Sequence, residues 1–415
     1  MYIERLHLEN VRTFADSRLE FVHPERVFRK GAVRTAADRR LLPLPKLPNV
    51  NLLLGDNGAG KSTVLRAIAA AAFGPAAQQL LRDATLVRFG VEEAKIFANL
   101  RLHEQDRALG QEITADVLMQ RKGERLLVTV GPPQYEQVWE PVYESKNDAF
   151  FVVGYGATRR VERLDSFDPG ARIKSRSQRD LRVQSLFEES FSLIPLAGWL
   201  HQLRTTNPGR YKQVAGLLNA LLAPAEWSFT GRQDDRGDYL FQHGQTQVPF
   251  QALSDGYRAF IGWVADLLYH VCYGCPSGKK LVDGRGVVLV DEIDLHLHPK
   301  WQMKVIQAVG RSLPRMQFIL TSHSPLVAGS LEWMNIITLK TGAKTNRTVA
   351  KRLQQSVRGL DADQILLTGF FGLKTTRAAS KRNQINDLAQ RAGRGDKQAA
   401  HDVILAMSRG EEVES

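Results

Sequence analysis

Three short stretches of this chain carry residue types that handle phosphate. Gly55-Asp56-Asn57-Gly58-Ala59-Gly60-Lys61-Ser62 has the spacing G-x-x-x-x-G-K-[ST], in which glycines let the backbone curl around a phosphate. The N–H groups of Asn57, Gly58, Ala59, Gly60, Lys61, Ser62 and Thr63 are then available as donors, Lys61 neutralises β/γ charge, and the Ser62 hydroxyl can ligate Mg²⁺. Asp291-Glu292 ends the apolar run Gly286–Val290. That pair suits a Mg²⁺-holding Asp291 and a Glu292 that orients and deprotonates an attacking water. Thr321-Ser322-His323-Ser324 ends a second apolar run, where His323 can touch a γ-phosphate.

Each group needs an element to aim it. Val50–Leu54 reads as a strand entering the loop, and a helix is expected from about Ser62 with Val64, Leu65, Ile68, Ala69 and Ala72 on one apolar face. Gly286–Val290 and Gln317–Leu320 have the unbroken apolar character of strands buried on both faces. Carboxylates and a histidine at such strand ends face a ligand crevice. Leu253-Ser254-Asp255-Gly256 precedes a helix with Phe260, Ile261, Val264, Leu267, Leu268 and Val271 as its apolar face. Ser254 is a candidate N-cap there, and a helix start with a small polar residue and Gly is an anion site.

The rest of the chain bounds the class. At 415 residues it can bury a large core with a subdomain. Lys plus Arg exceed Asp plus Glu by 12, which favours polyanionic partners, DNA or RNA among them. Two cysteines, Cys272 and Cys275, exclude a disulfide framework and supply too few ligands for zinc, so a reducing cytoplasm is expected. No apolar stretch reaches the roughly 18 residues of a membrane span, and the N-terminus alternates like a strand instead of forming a signal peptide. His296-Leu297-His298 lacks a third metal ligand, and Asp361-x-Asp363 lacks a further acidic cluster; both read as loops.

Four segments are expected. Residues 1–153 begin with a strand pair around Asn10–Phe14, with Leu6, Leu8, Val11, Leu19 and Phe21 inward, then the phosphate loop and an antiparallel layer from the runs Ala98–Leu102, Leu126–Val130 and Phe150–Val153. The stretch Pro24–Pro48 reads as a basic connection. Residues 154–250 read as an inserted basic and helical lobe, with helical runs Phe187–Leu203 and Tyr211–Leu222 and a hairpin around Asp234–Gly244. Its Arg-rich stretch Tyr155–Arg182, including Arg159 and Arg160, is the candidate polyanion-binding segment. Residues 251–340 carry the remaining phosphate chemistry, and 341–415 form a basic tail with a helical pattern near Gln384–Met407.

In order, the phosphate loop, Leu253–Gly256, the run ending in Asp291-Glu292 and the Ser322-His323-Ser324 turn resemble the ATPase cassette of the ABC superfamily. More closely, Asn10–Phe14, Leu253–Arg258, Asp291–Trp301 and Thr321–Pro325 resemble the soluble single-cassette ATPases related to RecF, SMC and overcoming-lysogenization-defect proteins. The ATPase subunits of Septu-type and retron-linked antiphage systems belong to that group. The resemblance implies an α/β fold, an ABC-type P-loop ATPase head with a mixed sheet core and an antiparallel β subdomain plus an inserted helical lobe. It implies ATP and Mg²⁺ as cofactors, Ser62 and Asp291 as metal ligands, and Glu292 and His323 as catalytic groups. It also implies a homodimer in which Ser254, Asp255 and Gly256 of a second copy close over the ATP.

Asp255 stands where transporters have Gly, and Ile293-Asp294 replaces their Pro-containing turn. The family's Q-loop glutamine stays unassigned between Gln178 and Gln184. The expected role is antiphage defence beside a separately encoded nuclease, away from membranes. The rivals are a RecF-like DNA-maintenance ATPase, and an ATP-sensing scaffold that keeps a toxic effector silent.

Overall fold

The computed structural model describes residues 1–25, 44–73, 80–81, 86–102, 112–122, 125–131, 151–162, 167–168, 179–276, 278–342, 345–376 and 379–408. Much of the basic connection 24–48 and of the Arg-rich stretch, with Gln178, lies outside them. The chain opens with β1 (Tyr2–Val11) and β2 (Phe14–Glu20), an antiparallel pair joined at Val11↔Phe14. Leu6, Leu8, Val11, Leu19 and Phe21 are all buried, as period-two alternation requires. Next come β3 (Val50–Gly55), helix α1 (Lys61–Phe73), β4 (Glu93–Arg101), β5 (Glu112–Lys122) and β6 (Arg125–Val130). One five-stranded antiparallel sheet results, in the order β2-β1-β4-β5-β6.

Helix α1 is buried nearly all round, through Ala67, Ala70 and Ala71 as well as the expected face. The reason is its position: it touches β3 and the later strand Met316–Ser322 of one sheet and β1, β4 and β5 of the other. The alanines keep it thin enough to fit between two layers.

Beyond lie β7 (Val152–Tyr155), β8 (Arg160–Val161), β9 (Ser192–Leu193), α2 (Ala197–Thr206), α3 (Pro208–Leu222), β10 (Trp227–Gln233), β11 (Tyr239–His243) and β12 (Thr246–Pro249). The expected hairpin is the turn between β10 and β11 of a three-stranded sheet. The first helical run starts ten residues later than its pattern suggests. Pro195 cannot continue a helix from upstream, and Asn207 separates α2 from α3 by accepting a capping bond from Arg210 N.

The last stretch of the larger unit holds α4 (Asp255–Gly274), β13 (Gly286–Val290), α5 (Pro299–Ser312), β14 (Met316–Ser322), α6 (Pro325–Gly329), β15 (Ile336–Thr341) and β16 (Thr348–Lys351). The core sheet runs β16-β15-β3-β14-β13-β7, with β15, β3, β14, β13 and β7 mutually parallel and β16 antiparallel at the edge. This corrects the placement of β7 in the antiparallel layer: Val152–Tyr155 is buried on both faces and pairs with Val287–Val290. The two sheets are fastened by buried amides. Asn51 accepts from Val22 N and donates to Val22 O, both at 2.8 Å. Gln317 accepts from Ile3 N and donates to Ile3 O, again at 2.8 Å.

No helix of the described residues is long and apolar enough to cross a membrane. The fold is the α/β phosphate-loop head that the motif order implied, a mixed sheet with an antiparallel β layer and an inserted lobe. Contacts divide the chain into Met1–Ile365 and Leu366–Ser415. The smaller unit carries α8 (Ala379–Gly393) and α9 (Lys397–Ser408), while α7 (Ala362–Leu367) spans the boundary and has Asp363 in its first turn. Helices α8 and α9 are separated at Gly395, whose φ of +95° breaks the helical path, and Asp396 then accepts from Ala399 N to start α9.

Candidate active site

The phosphate loop leaves β3 and enters α1, and its glycines have different reasons to be glycine. Gly58 has φ +78° with nothing near its missing Cβ, whereas Gly60 has φ +92° and a Cβ there would lie 2.6 Å from the Phe14 ring. Gly55 is glycine for a packing reason. It ends β3 opposite Leu339, and a Cβ would sit 2.6 Å from the Leu339 carbonyl. Thus the β1–β2 turn supports the loop from one side and β15 from the other.

Lys61 is buried, and its Nζ donates to the carbonyls of Gly55 at 2.8 Å and Asp56 at 3.1 Å. Burial pushes the ammonium pKa down, against the opposing pull of Asp291, Glu292, Asp56 and Asp294. The amine therefore shares one field with the carboxylates after β13, although they lie about 230 residues away in sequence.

Those carboxylates stand on a tightly held turn. Thr321 Oγ1 donates to Asp291 Oδ1 at 2.6 Å and accepts from Glu292 N at 2.7 Å. Asp291 N donates to the Tyr155 carbonyl at 2.8 Å, and Ile293 N to the Thr321 carbonyl at 2.9 Å. Glu292 itself has φ +48°, a left-handed conformation that an L residue keeps only where its surroundings impose it. Arg159 lies beneath, donating from Nη2 to the carbonyls of Asp291 and Glu292. This overturns its assignment to the polyanion-binding surface, since Arg159 is only 8% exposed. Arg160, its neighbour, is exposed.

After β14 the histidine turn is built by serines. Ser322 Oγ accepts from Ser324 N at 2.9 Å, and Ser324 Oγ caps α6 by accepting from Leu326 N and Val327 N. His323 is half-buried, and its side chain makes no hydrogen bond within the described residues. Ser324 Oγ also donates to Gln302 Oε1, whose amide donates to the Leu297 carbonyl, so α5 ties this turn to the segment after Glu292. There His298 Nδ1 accepts from Lys300 N at 3.3 Å as the N-cap of α5, while His296 is exposed. Among the described residues no three His, Cys, Asp or Glu side chains gather as a metal cage. Cys272 and Cys275 form no disulfide; Arg210 donates to the carbonyls at Cys275 and Pro276 at 2.8 Å and closes the end of α4.

Ser254 occupies the N-cap position of α4 without a side-chain capping bond. Ser254 and Asp255 are exposed, and Asp255 pairs with Arg258 within its own helix. Gly256 is buried against the backbone of His296, whose carbonyl would lie 2.1 Å from a Cβ. Within the described residues no hydrogen bond or ion pair joins Ser254–Gly256 to the loop 55–62 of the same chain. The loop, the carboxylates and the histidine turn do converge on the ends of adjacent parallel strands β3, β14 and β13.

Thr321, Arg159 and Asp294 belong to this site and are not marked by motif spacing. Asp294 Oδ1 is buried with no hydrogen-bond partner among the described residues, and its charge reaches both Lys61 and Arg159. The one available signal for Thr321 is its place as the first polar residue after the β14 apolar run. The Ser62 hydroxyl, the Asp291 carboxylate and the orphaned Asp294 oxygen are all hard oxygen donors, the chemistry that a hydrated Mg²⁺ takes.

Residues 50–329, which hold every one of these groups, match the family model described as "AAA domain, putative AbiEii toxin, Type IV TA system". The chain belongs to this AAA-domain family. A similar protein is "Septu protein PtuA" of Bacillus mycoides (strain KBAB4), 24% identical over 325 residues, covering 78% of this chain and 41% of the relative. "Retron Ec83 probable ATPase" of Escherichia coli is 36% identical over 107 residues, 26% of this chain and 20% of the relative. This AAA-domain chain thus spans about two fifths or less of the length of these curated relatives. Among solved structures, an Smc head bound to the C-terminal winged-helix domain of ScpA aligns with TM-score 0.49 and 14% identity, over 85% of this chain and 98% of that one.

Proposed function

We propose that this chain is a Mg²⁺-dependent ATPase that dimerises around ATP and serves antiphage defence. The observation that carries the reading is the convergence of Lys61, Asp291, Glu292 and Asp294 in one field at the ends of neighbouring parallel strands. A lysine satisfied by its own loop carbonyls can exchange them for β/γ-phosphate oxygens. Backbone N–H groups from Asn57 to Thr63 receive the phosphates, and Ser62 and Asp291 hold the cation. Mg²⁺, when bound, neutralises charge on the β/γ oxygens. Glu292 takes the proton of the attacking water and His323 contacts the γ-phosphate.

The Ser254 hydroxyl, exposed and without a hydrogen bond among the described residues, supports a role for Ser254, Asp255 and Gly256 toward the ATP of a second copy. Segment 154–250 beyond β7 is the lobe whose movement would report closure; the head takes in 1–153 and 251–340 together with β16, which lies within the expected tail 341–415. The defence role rests on the Septu and retron relatives, and extends to a separately encoded nuclease, with DNA or RNA as trigger. The test is Glu292→Gln: it should bind ATP, turn over at least about a hundredfold more slowly, and double its mass by light scattering when ATP is added. Wild-type turnover in that variant would remove Glu292 from catalysis, and an ATP-independent monomer would remove the dimer.

A further inference from the structure

We infer that Arg159 is a positioning residue for hydrolysis, acting through the backbone of the Asp291-Glu292 turn; this rests on the reading of Glu292 as the proton acceptor. Its guanidinium is anchored at its own segment, where Nε donates to the Gly156 carbonyl at 3.2 Å. From there Nη2 donates to the carbonyl of Asp291 and, at 2.6 Å, to that of Glu292. The contacts go to carbonyls, so both carboxylates stay available for cation and water. Together with Thr321, which holds Glu292 N at 2.7 Å, Arg159 fixes the left-handed Glu292 peptide from both sides.

The charge matters as well as the geometry. The guanidinium is charged at neutral pH, as arginines are, and it shares one field with Asp291, Asp294 and Glu292. A planar guanidinium holds its donors in a fixed fork, and a lysine ammonium in its place reaches fewer of these carbonyls. Arg159 also forms part of the wall of a 600 Å³ cavity shared with Asp255, Arg258, Leu295 and His296.

The test compares ATP turnover, binding of a fluorescent ATP analogue and thermal melting for wild type, Arg159→Ala, Arg159→Lys, Glu292→Gln and the Arg159→Ala/Glu292→Gln double variant. Arg159→Ala should bind the analogue as wild type does and lose about a hundredfold in kcat with KM nearly unchanged, the scale expected when a catalytic group shifts by about 1 Å. Arg159→Lys should recover part of that loss. If Arg159 acts through Glu292, the double variant is no slower than Glu292→Gln alone. A multiplied loss in the double variant, or wild-type kcat in Arg159→Ala, overturns the inference while leaving the ATPase reading intact. Wild-type turnover in Glu292→Gln sinks that reading and this inference with it. Should Arg159→Ala melt below the assay temperature, Arg159→Lys decides: reduced kcat with unchanged KM supports the role, and unchanged kcat overturns it.

Discussion

Replacing Thr321 with Val keeps the shape of a fully buried side chain and removes one hydroxyl. That hydroxyl donates to Asp291 Oδ1 at 2.6 Å and accepts from Glu292 N at 2.7 Å, so the change orphans one carboxylate oxygen and one backbone N–H. Each buried group left unsatisfied costs about 1–3 kcal/mol, giving a loss of about 2–6 kcal/mol in unfolding free energy. Thr321→Ser keeps both bonds and gives up a methyl, roughly 1 kcal/mol. Urea denaturation of the two variants separates the hydroxyl from the methyl, because Thr321→Val removes the first and Thr321→Ser the second. Steady-state ATP turnover should follow the same order: at least tenfold slower in Thr321→Val, and within about threefold of wild type in Thr321→Ser. Equal stability and equal turnover in the two variants would refute the claim that Thr321 organises the carboxylate turn.

The loop glycines make a second comparison. Gly58→Ala meets only the cost of φ +78°, roughly 1–2 kcal/mol, whereas Gly60→Ala adds overlap with the buried Phe14 ring and should lose about 1–3 kcal/mol more; equal unfolding midpoints would refute the role of Phe14. Acid stability should depend on Glu4, whose pKa is lowered to about 2: burial alone would raise it, but hydrogen bonds from His23 and Arg101 outweigh burial. A carboxylate with a depressed folded pKa stabilises the fold above its ordinary value of 4.5, and the contribution is lost as pH falls from there to about 2. Urea midpoints measured across that range should fall more steeply for wild type than for Glu4→Gln.

The sequence made the ends of the strands readable and left their neighbours obscure. The phosphate loop, Asp291-Glu292 and the α4 face are legible because each is a local pattern with a strong physical requirement. Phe260, Ile261, Val264, Leu267, Leu268 and Val271 are indeed all buried. Thr321 and Arg159 were not legible, since a threonine at a strand end and an arginine in a basic run have many ordinary explanations. Their roles depend on partners about 30 and 130 residues away. The same distance explains β7: a four-residue apolar run looks alike in either sheet, and only its pairing with β13 assigns it. In the tail, a single helical pattern hid a break at Gly395, where one positive φ decides the path.

In the dimer proposed above, Ser254–Gly256 of one copy complete the ATP site of another. Lys61→Ala disables the loop, and Ser254→Arg blocks the exposed start of α4; each variant alone should be inactive. Mixed in equal amounts and allowed to exchange, they should regain about a quarter of wild-type turnover, because half of randomly paired dimers are mixed and each holds one complete site. Turnover that stays at the level of the separate variants, in a mixture shown to exchange subunits, would contradict the account.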